Sequence, residues 1–114
     1  MRPVLQALLM APKYLAPILS GEKINTIREG HRDYKEGKPV MLCCHLTNWC
    51  VIANVTKVEH VLVKDLYKRL WDFRYDNVGH LLRTLREFYP DIEMESEVTT
   101  ITWDNLEGAL AHGN

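Results

Sequence analysis

A small α+β domain, its sheet mixed or antiparallel and curled into a barrel, is the fold class the sequence predicts. Three observations lead there. Five segments read as strands, by two-residue alternation or compact apolar runs, and three read as helices by their apolar spacing. Their order is strand, helix, strand, hairpin, two helices, strand, which is not the strict alternation that builds a doubly wound parallel sheet. The chain has 114 residues, 46% hydrophobic and 25% charged. That is one domain, large enough to bury a core without disulfide staples or a structural metal.

Val4–Met10 is an apolar run suited to a buried strand. Pro12–Ser20 follows as a short helix: Tyr14, Leu15, Ile18 and Leu19 recur at helical spacing, and Gly21 stands in position for the C-terminal cap. Lys23–Arg28 alternates with period two, so its even and odd residues face opposite sides of a strand. Residues 30–38 are polar and turn-like, punctuated by Gly30 and Gly37. Pro39–Leu46 is a strand with Val40, Leu42, Cys44 and Leu46 on one face and Met41, Cys43 and His45 on the other. Trp49–Val58 is a second strand, and the brief Thr47-Asn48 link predicts a hairpin. Lys64–Trp71 reads as a helix. Asn77–Phe88 reads as another, with Val78, Leu81, Leu82, Leu85 and Phe88 as its stripe and Tyr89-Pro90 as its stop. Glu97–Trp103 alternates again and closes the sheet, and residues 104–114 form an acidic C-terminal tail.

The net charge is −1, unevenly spread. All 14 Lys and Arg lie in residues 1–86, which are net +6, whereas residues 87–114 hold only acids and are net −7. The split reads first as a solvated acidic tail on a neutral domain, and alternatively as a basic face that suits a nucleotide or a phosphate. It is too weak for tight, sequence-independent binding to long duplex. No apolar run approaches the ~20 residues that span a bilayer, and the N-terminal stretch reads as a strand rather than a signal peptide. Three cysteines, Cys43, Cys44 and Cys50, form no even-numbered disulfide framework. They point to a reducing compartment, and the cytoplasm is the expected location.

The densest polar signal is Lys23-x-x-Thr26-x-Arg28. On a strand, Thr26 and Arg28 share a face, and Lys23 bends toward it on its long stem. Ammonium, hydroxyl and guanidinium together suit an anionic or carbonyl-bearing ligand better than a core. A lysine desolvated in a barrel mouth loses its proton more readily and serves as a base for the hydroxyl. The same residues also fit a surface strand with solvated side chains.

Tyr14-Leu15-x-x-Ile18-Leu19-x-Gly21-x-Lys23-x-x-Thr26-Ile27-Arg28 resembles the opening signature of the ASCH family. Gly37-Lys38-Pro39-Val40 resembles that family's next turn into a strand, and Asp76-Asn77-Val78, a helix and Phe88-Tyr89-Pro90 resemble its acidic residue, helix and Tyr-Pro segment. The resemblance covers roughly residues 4–103, which would form the ASCH-like domain ahead of the tail. It implies a small PUA-like β-barrel of about five to six strands with two to three short helices. It also implies an association with RNA or modified nucleosides. Some ASCH proteins are amidohydrolases that deacetylate N4-acetylcytidine with a Lys, a Thr and a Glu. The Lys matches Lys23 and the Thr matches Thr26. The acid falls at Asp76, one methylene shorter than the family's Glu and with a shorter spacing to the helix.

On that resemblance, Lys23, held neutral by burial, takes the proton from Thr26, and the Thr26 oxygen attacks the acetyl carbonyl. Asp76 orients Lys23 or helps protonate the leaving amine, and water then releases acetate. No metal or other cofactor is implied. Arg28 matches the signature arginine, a contact for phosphate or base. The loop that follows reads as an ordinary solvated loop or, as a functional element, as one whose Tyr34 stacks on a base while Arg32 and Lys35 meet phosphate. The alternative function is a non-catalytic domain that binds RNA or another single-stranded nucleic acid, and a third is a protein-interaction module using the tail. Cys43, Cys44, His45 and Cys50 lack the paired spacing of a zinc site, because adjacent strand residues face opposite ways. They are expected as structural thiols, with no metal and no disulfide. Trp49, Trp71 and Trp103 are expected as core anchors.

Overall fold

The computed structural model describes residues 6–111, with side chains described for residues 6–106. In chain order the strands are β1 (Gln6–Leu9), β2 (Asn25–Glu29), β3 (Pro39–Cys44), β4 (Trp49–Leu62) and β5 (Glu97–Ala111). The helices are α1 (Leu15–Ser20), α2 (Val63–Leu66) and α3 (Val78–Phe88), with 3-10 turns at Pro12–Tyr14 and Tyr67–Phe73. The strands hydrogen-bond in the order β1-β3-β4-β5-β2. β1 runs parallel to β3, pairing Leu8 with Leu42, and β3 runs antiparallel to β4, pairing Leu42 with Val51. The sheet is therefore mixed. Val4 and Leu5 of the first predicted strand lie outside the described residues, as do residues 112–114 of the tail.

The chain divides into two compact units. The first takes the residues up to Asn25, Tyr34–Val58 and those from Ile101 on. Its core follows strand parity. Val40, Leu42 and Cys44 of β3 are buried while Met41 and Cys43 between them are half-buried; Trp49, Val51, Ala53 and Val55 of β4 alternate in the same way. Leu8, Ile101 and Trp103 complete the cluster, and Ile18 anchors α1 to it with no exposed surface. α1 contains Pro17 at no cost, because a residue in the first turn has no intrahelical acceptor for its N–H. Gly21 ends it in the left-handed conformation at φ 83°, its N–H reaching the Ile18 carbonyl at 3.2 Å. Parity puts Leu46 on one face with Val40, Leu42 and Cys44, but the strand stops at Cys44. Leu46 falls in the turn and is 83% exposed.

The second unit takes Thr26–Asp33 and Glu59–Thr100. Ile27, Val63, Leu66, Leu81, Leu85, Ile92 and Val98 form its core. The expected single helix over Lys64–Trp71 is instead α2 followed by 3-10 winding, with a kink at Arg69 (φ −128°, ψ 34°) and a left-handed end at Arg74 (φ 64°). The kink holds the Arg69 guanidinium against Glu59 and Asp72. Beyond it, the tighter winding of about three residues per turn carries Leu70 and Phe73 to the core side and throws Trp71 outward. Trp71 is 78% exposed and is no core anchor, whereas Trp49 and Trp103 are, at 2% and 3%. α3 starts at Asn77, whose side chain accepts from the His80 N–H at 2.9 Å. Leu81 and Leu85 are its buried stripe; Val78 and Phe88 at its ends are partly exposed. Among the described residues no helix is long and apolar enough to cross a membrane.

Candidate functional site

Lys23 precedes β2 in the first unit and is half-buried. Its N–H donates to the Pro17 carbonyl at 2.9 Å, so the turn after Gly21 fixes its backbone. Its Nζ donates to the Asn25 carbonyl at 2.8 Å and lies 4.6 Å from the centre of the Tyr14 ring. The lysine therefore meets an acceptor and an aromatic face, contacts that hold an ammonium in place.

Thr26 and Arg28 lie on β2 in the second unit, on one face as their parity requires. Thr26 is buried, 6% exposed. Arg28 Nη1 donates to Thr26 Oγ1 at 2.6 Å and to the Ile27 carbonyl at 3.2 Å. A guanidinium this close stabilises negative charge on the threonine oxygen. As the oxygen only accepts from Arg28, the hydroxyl proton remains available to a base or an acceptor.

The loop after β2 is fixed by Thr99, which is buried at 0% exposure on β5. Its Oγ1 accepts from the Arg32 N–H at 2.8 Å and donates to the Gly30 carbonyl at 2.8 Å, while His60 Nδ1 lies 3.1 Å away. The His60 ring stacks on His31 with centroids 3.7 Å apart and planes 11° apart. His31 is also 3.4 Å from Glu97 and 3.5 Å from Asp33. Arg32 is exposed, its Nε donating to the Glu29 carbonyl at 2.9 Å. Tyr34 and Lys35 belong to the first unit. The Tyr34 ring packs on that unit's core and its hydroxyl donates to the Ala7 carbonyl at 2.8 Å. Lys35 is exposed, and its backbone is clasped by the Gln6 amide.

Asp76 lies in the second unit with a side chain 91% exposed, 3.7 Å from His80 one turn into α3. Glu59 is a half-buried acid of this unit. Its carboxylate accepts both terminal nitrogens of Arg69, at 3.0 and 3.3 Å, and Thr100 Oγ1 lies 3.5 Å from it. This carboxylate and the Thr99 group have no local signature in the sequence; only Thr99-Thr100 within an apolar strand hints at buried hydroxyls. The thiols are free, Cys44 buried and Cys43 and Cys50 half-buried. Among the described residues no three His, Cys, Asp or Glu are arranged to hold a metal ion.

No family model matches the sequence, and no curated protein does. Solved structures of an ASCH protein from Zymomonas mobilis do match by fold. The parent crystal structure gives a TM-score of 0.62 at 14% identity, covering 87% of this chain and 66% of that one. A serine-to-alanine variant of it gives 0.66 at 12% identity, with 87% and 66% covered, and a tyrosine-to-phenylalanine variant gives 0.65 at 12%, with 87% and 68%. The chain thus spans about two thirds of the length of these structures and has the ASCH fold, a small α+β domain of PUA-like type.

Proposed function

We propose that the chain is an amidohydrolase that removes the acyl group from N4-acetylcytidine-type nucleosides. The single observation that supports this best is the 2.6 Å bond from Arg28 to the buried Thr26 hydroxyl, in a chain with the ASCH fold. In the proposed reaction Lys23 accepts the Thr26 proton, and the Thr26 oxygen attacks the acetyl carbonyl carbon. To act as base, Lys23 must first release a proton as substrate displaces its Asn25 and Tyr14 contacts. The tetrahedral intermediate collapses with cleavage of the bond to N4, which leaves with the proton that Lys23 carried. Water then hydrolyses the threonine ester to acetate. Arg28 offsets the charge on the Thr26 oxygen as it leaves and returns. Asp76 is assigned the supporting acid, and Arg32, Tyr34 and Lys35 the contacts to the nucleoside.

The test is incubation of the full chain with N4-acetylcytidine, with chromatography for cytidine and acetate. The parent should release both, and Lys23→Ala and Thr26→Ala should each abolish release while remaining folded, with Thr26→Ala melting somewhat lower because it strips a buried acceptor from Arg28. Hydrolysis at the parent rate by both variants would sink the assignment. An Asp76→Asn variant at the parent rate would remove Asp76 alone, an outcome its exposure makes important to check.

A second reading, favoured by the exposed Trp71, is binding of single-stranded RNA through aromatic stacking and the exposed Arg32 and Lys35. An inactive parent whose affinity for a short single-stranded RNA falls in Arg28→Ala and Trp71→Ala would select it.

A further inference from the structure

Cys43 on β3 and Cys50 on β4 are register partners, and their sulfurs lie 2.8 Å apart. The backbone shows which kind of pair they form. A strand residue sends its N–H and C=O to the same side. The Cys43 carbonyl accepts from the Met10 N–H at 2.7 Å, on the β1 side, whereas the Lys38 carbonyl accepts from the Val55 N–H at 3.0 Å, on the β4 side. Odd-numbered residues of β3 therefore turn their backbone groups away from β4. Cys43 and Cys50 are a non-hydrogen-bonded antiparallel pair, the arrangement in which the Cα atoms approach to about 4.5 Å and the side chains are closest. That separation lies inside the range of about 4.4–6.8 Å found across disulfides, so a sulfur–sulfur bond requires little backbone movement. Cys44 cannot compete. It is the next residue along β3, faces the core, and is 3% exposed. Cys43 and Cys50 lie on the other face with Met41 and Ile52 and are half-buried, within reach of a small oxidant.

We infer that Cys43 and Cys50 are a redox-active dithiol that closes to an intramolecular cross-strand disulfide by exchange with a small disulfide such as oxidised glutathione. The Cys50 thiolate attacks one sulfur of the oxidant, forming a mixed disulfide and expelling one glutathione thiolate. Cys43 then attacks the Cys50 sulfur, breaking the mixed bond and expelling the second. Two electrons pass from the cysteines to the oxidant, and the two cysteine protons end on the two glutathione thiols. The order follows from the environment of Cys43. Burial, and then the hydrogen bond and charge of Cys50, hold its thiol up at about 12, so Cys43 does not strike first. Once Cys50 carries the mixed disulfide its charge is gone, and Cys43 is released to resolve it.

The full chain is incubated with oxidised glutathione and its remaining thiols are alkylated under denaturing conditions. Before alkylation the expected result is a loss of about 2 Da with no glutathione retained. The three thiols of the sequence fall to one, located by tandem mass spectrometry at Cys44. Cys44→Ser should close as the parent does, and Cys43→Ser should stop at the mixed disulfide on Cys50. A parent that keeps all its thiols, retains glutathione, or crosslinks between chains would overturn the inference, as would a bond to Cys44.

Discussion

Replacing Thr99 by valine removes one oxygen and keeps the shape of the side chain, so its cost reports the polar group alone. Thr99 is buried at 0% exposure, and its Oγ1 serves the Arg32 N–H and the Gly30 carbonyl, both at 2.8 Å. Valine leaves both backbone groups without that partner. A buried group so stranded costs about 1–3 kcal/mol. The neighbouring His31 and Arg32 are exposed, so water reaches the loop and the low end applies to each, about 2 kcal/mol in total. At roughly 4 °C per kcal/mol for a domain of this size, the melting temperature should fall by about 8 °C. Thr99→Ser keeps the hydroxyl and should lose about 1 kcal/mol, the value of a methyl group. Denaturant unfolding measures both variants, and hydrogen exchange at the Arg32 amide reads the loop directly. A valine variant within 0.5 kcal/mol of the parent by the same criterion, or a serine variant as damaged as the valine, would refute the reasoning. The first would mean the hydroxyl does not hold the loop, the second that the methyl packing does.

Asn77→Ala removes the side-chain oxygen that accepts the His80 N–H at 2.9 Å and should cost about 1 kcal/mol in urea unfolding. Glu59→Ala leaves the Arg69 guanidinium without its bidentate partner; as both side chains are about a third exposed, water tempers the loss to about 1–2 kcal/mol. Cys43 titrates at about 12 in the fold against 9.0 for an unperturbed thiol, so the protonated form favours the folded state. That contribution is complete below pH 9 and drains away as pH rises toward 12, so stability measured in reductant should decline across that window and decline less in Cys43→Ser. Cys50→Ser removes the neighbouring charge and should bring the Cys43 thiolate absorbance at about 240 nm up at lower pH.

The two faces of β3 and β4 were legible because one face of each meets a core and the other does not, and that contrast writes a two-residue period into the sequence. The α3 stripe was legible for the same reason at helical period. The sequence predicts that β4 stops at Val58, before the polar Glu59 and His60. It runs on to Leu62 because Glu59 and His60 find partners in Arg69 and Thr99, 10 and 39 residues away. The kink at Arg69 was invisible for a related reason: it depends on acceptors supplied from another element and has no glycine or proline to announce it. The expected burial of Trp71 failed with it. Within the candidate site, the shared face of Thr26 and Arg28 followed from parity, and the two side chains bond. The seat of Lys23 did not follow, because it rests on a tyrosine nine residues back across a helix and a turn.

The Tyr14 ring beneath Lys23 gives the protein an internal spectroscopic probe. Lys13 Nζ lies 5.3 Å from the centre of the same ring, so one aromatic ring is approached by two ammonium groups. Protons on the carbon next to the Lys23 nitrogen are carried close to that ring, so its ring current is expected to displace their magnetic resonances from those of the other lysines. A charge held against a π face is released when the charge is lost. Proton loss from Lys23, or its withdrawal toward a bound molecule, therefore shifts its side-chain resonances while those of Lys13 serve as the reference. The state of the candidate base is thus readable by NMR in the unlabelled resting protein, before any substrate is known.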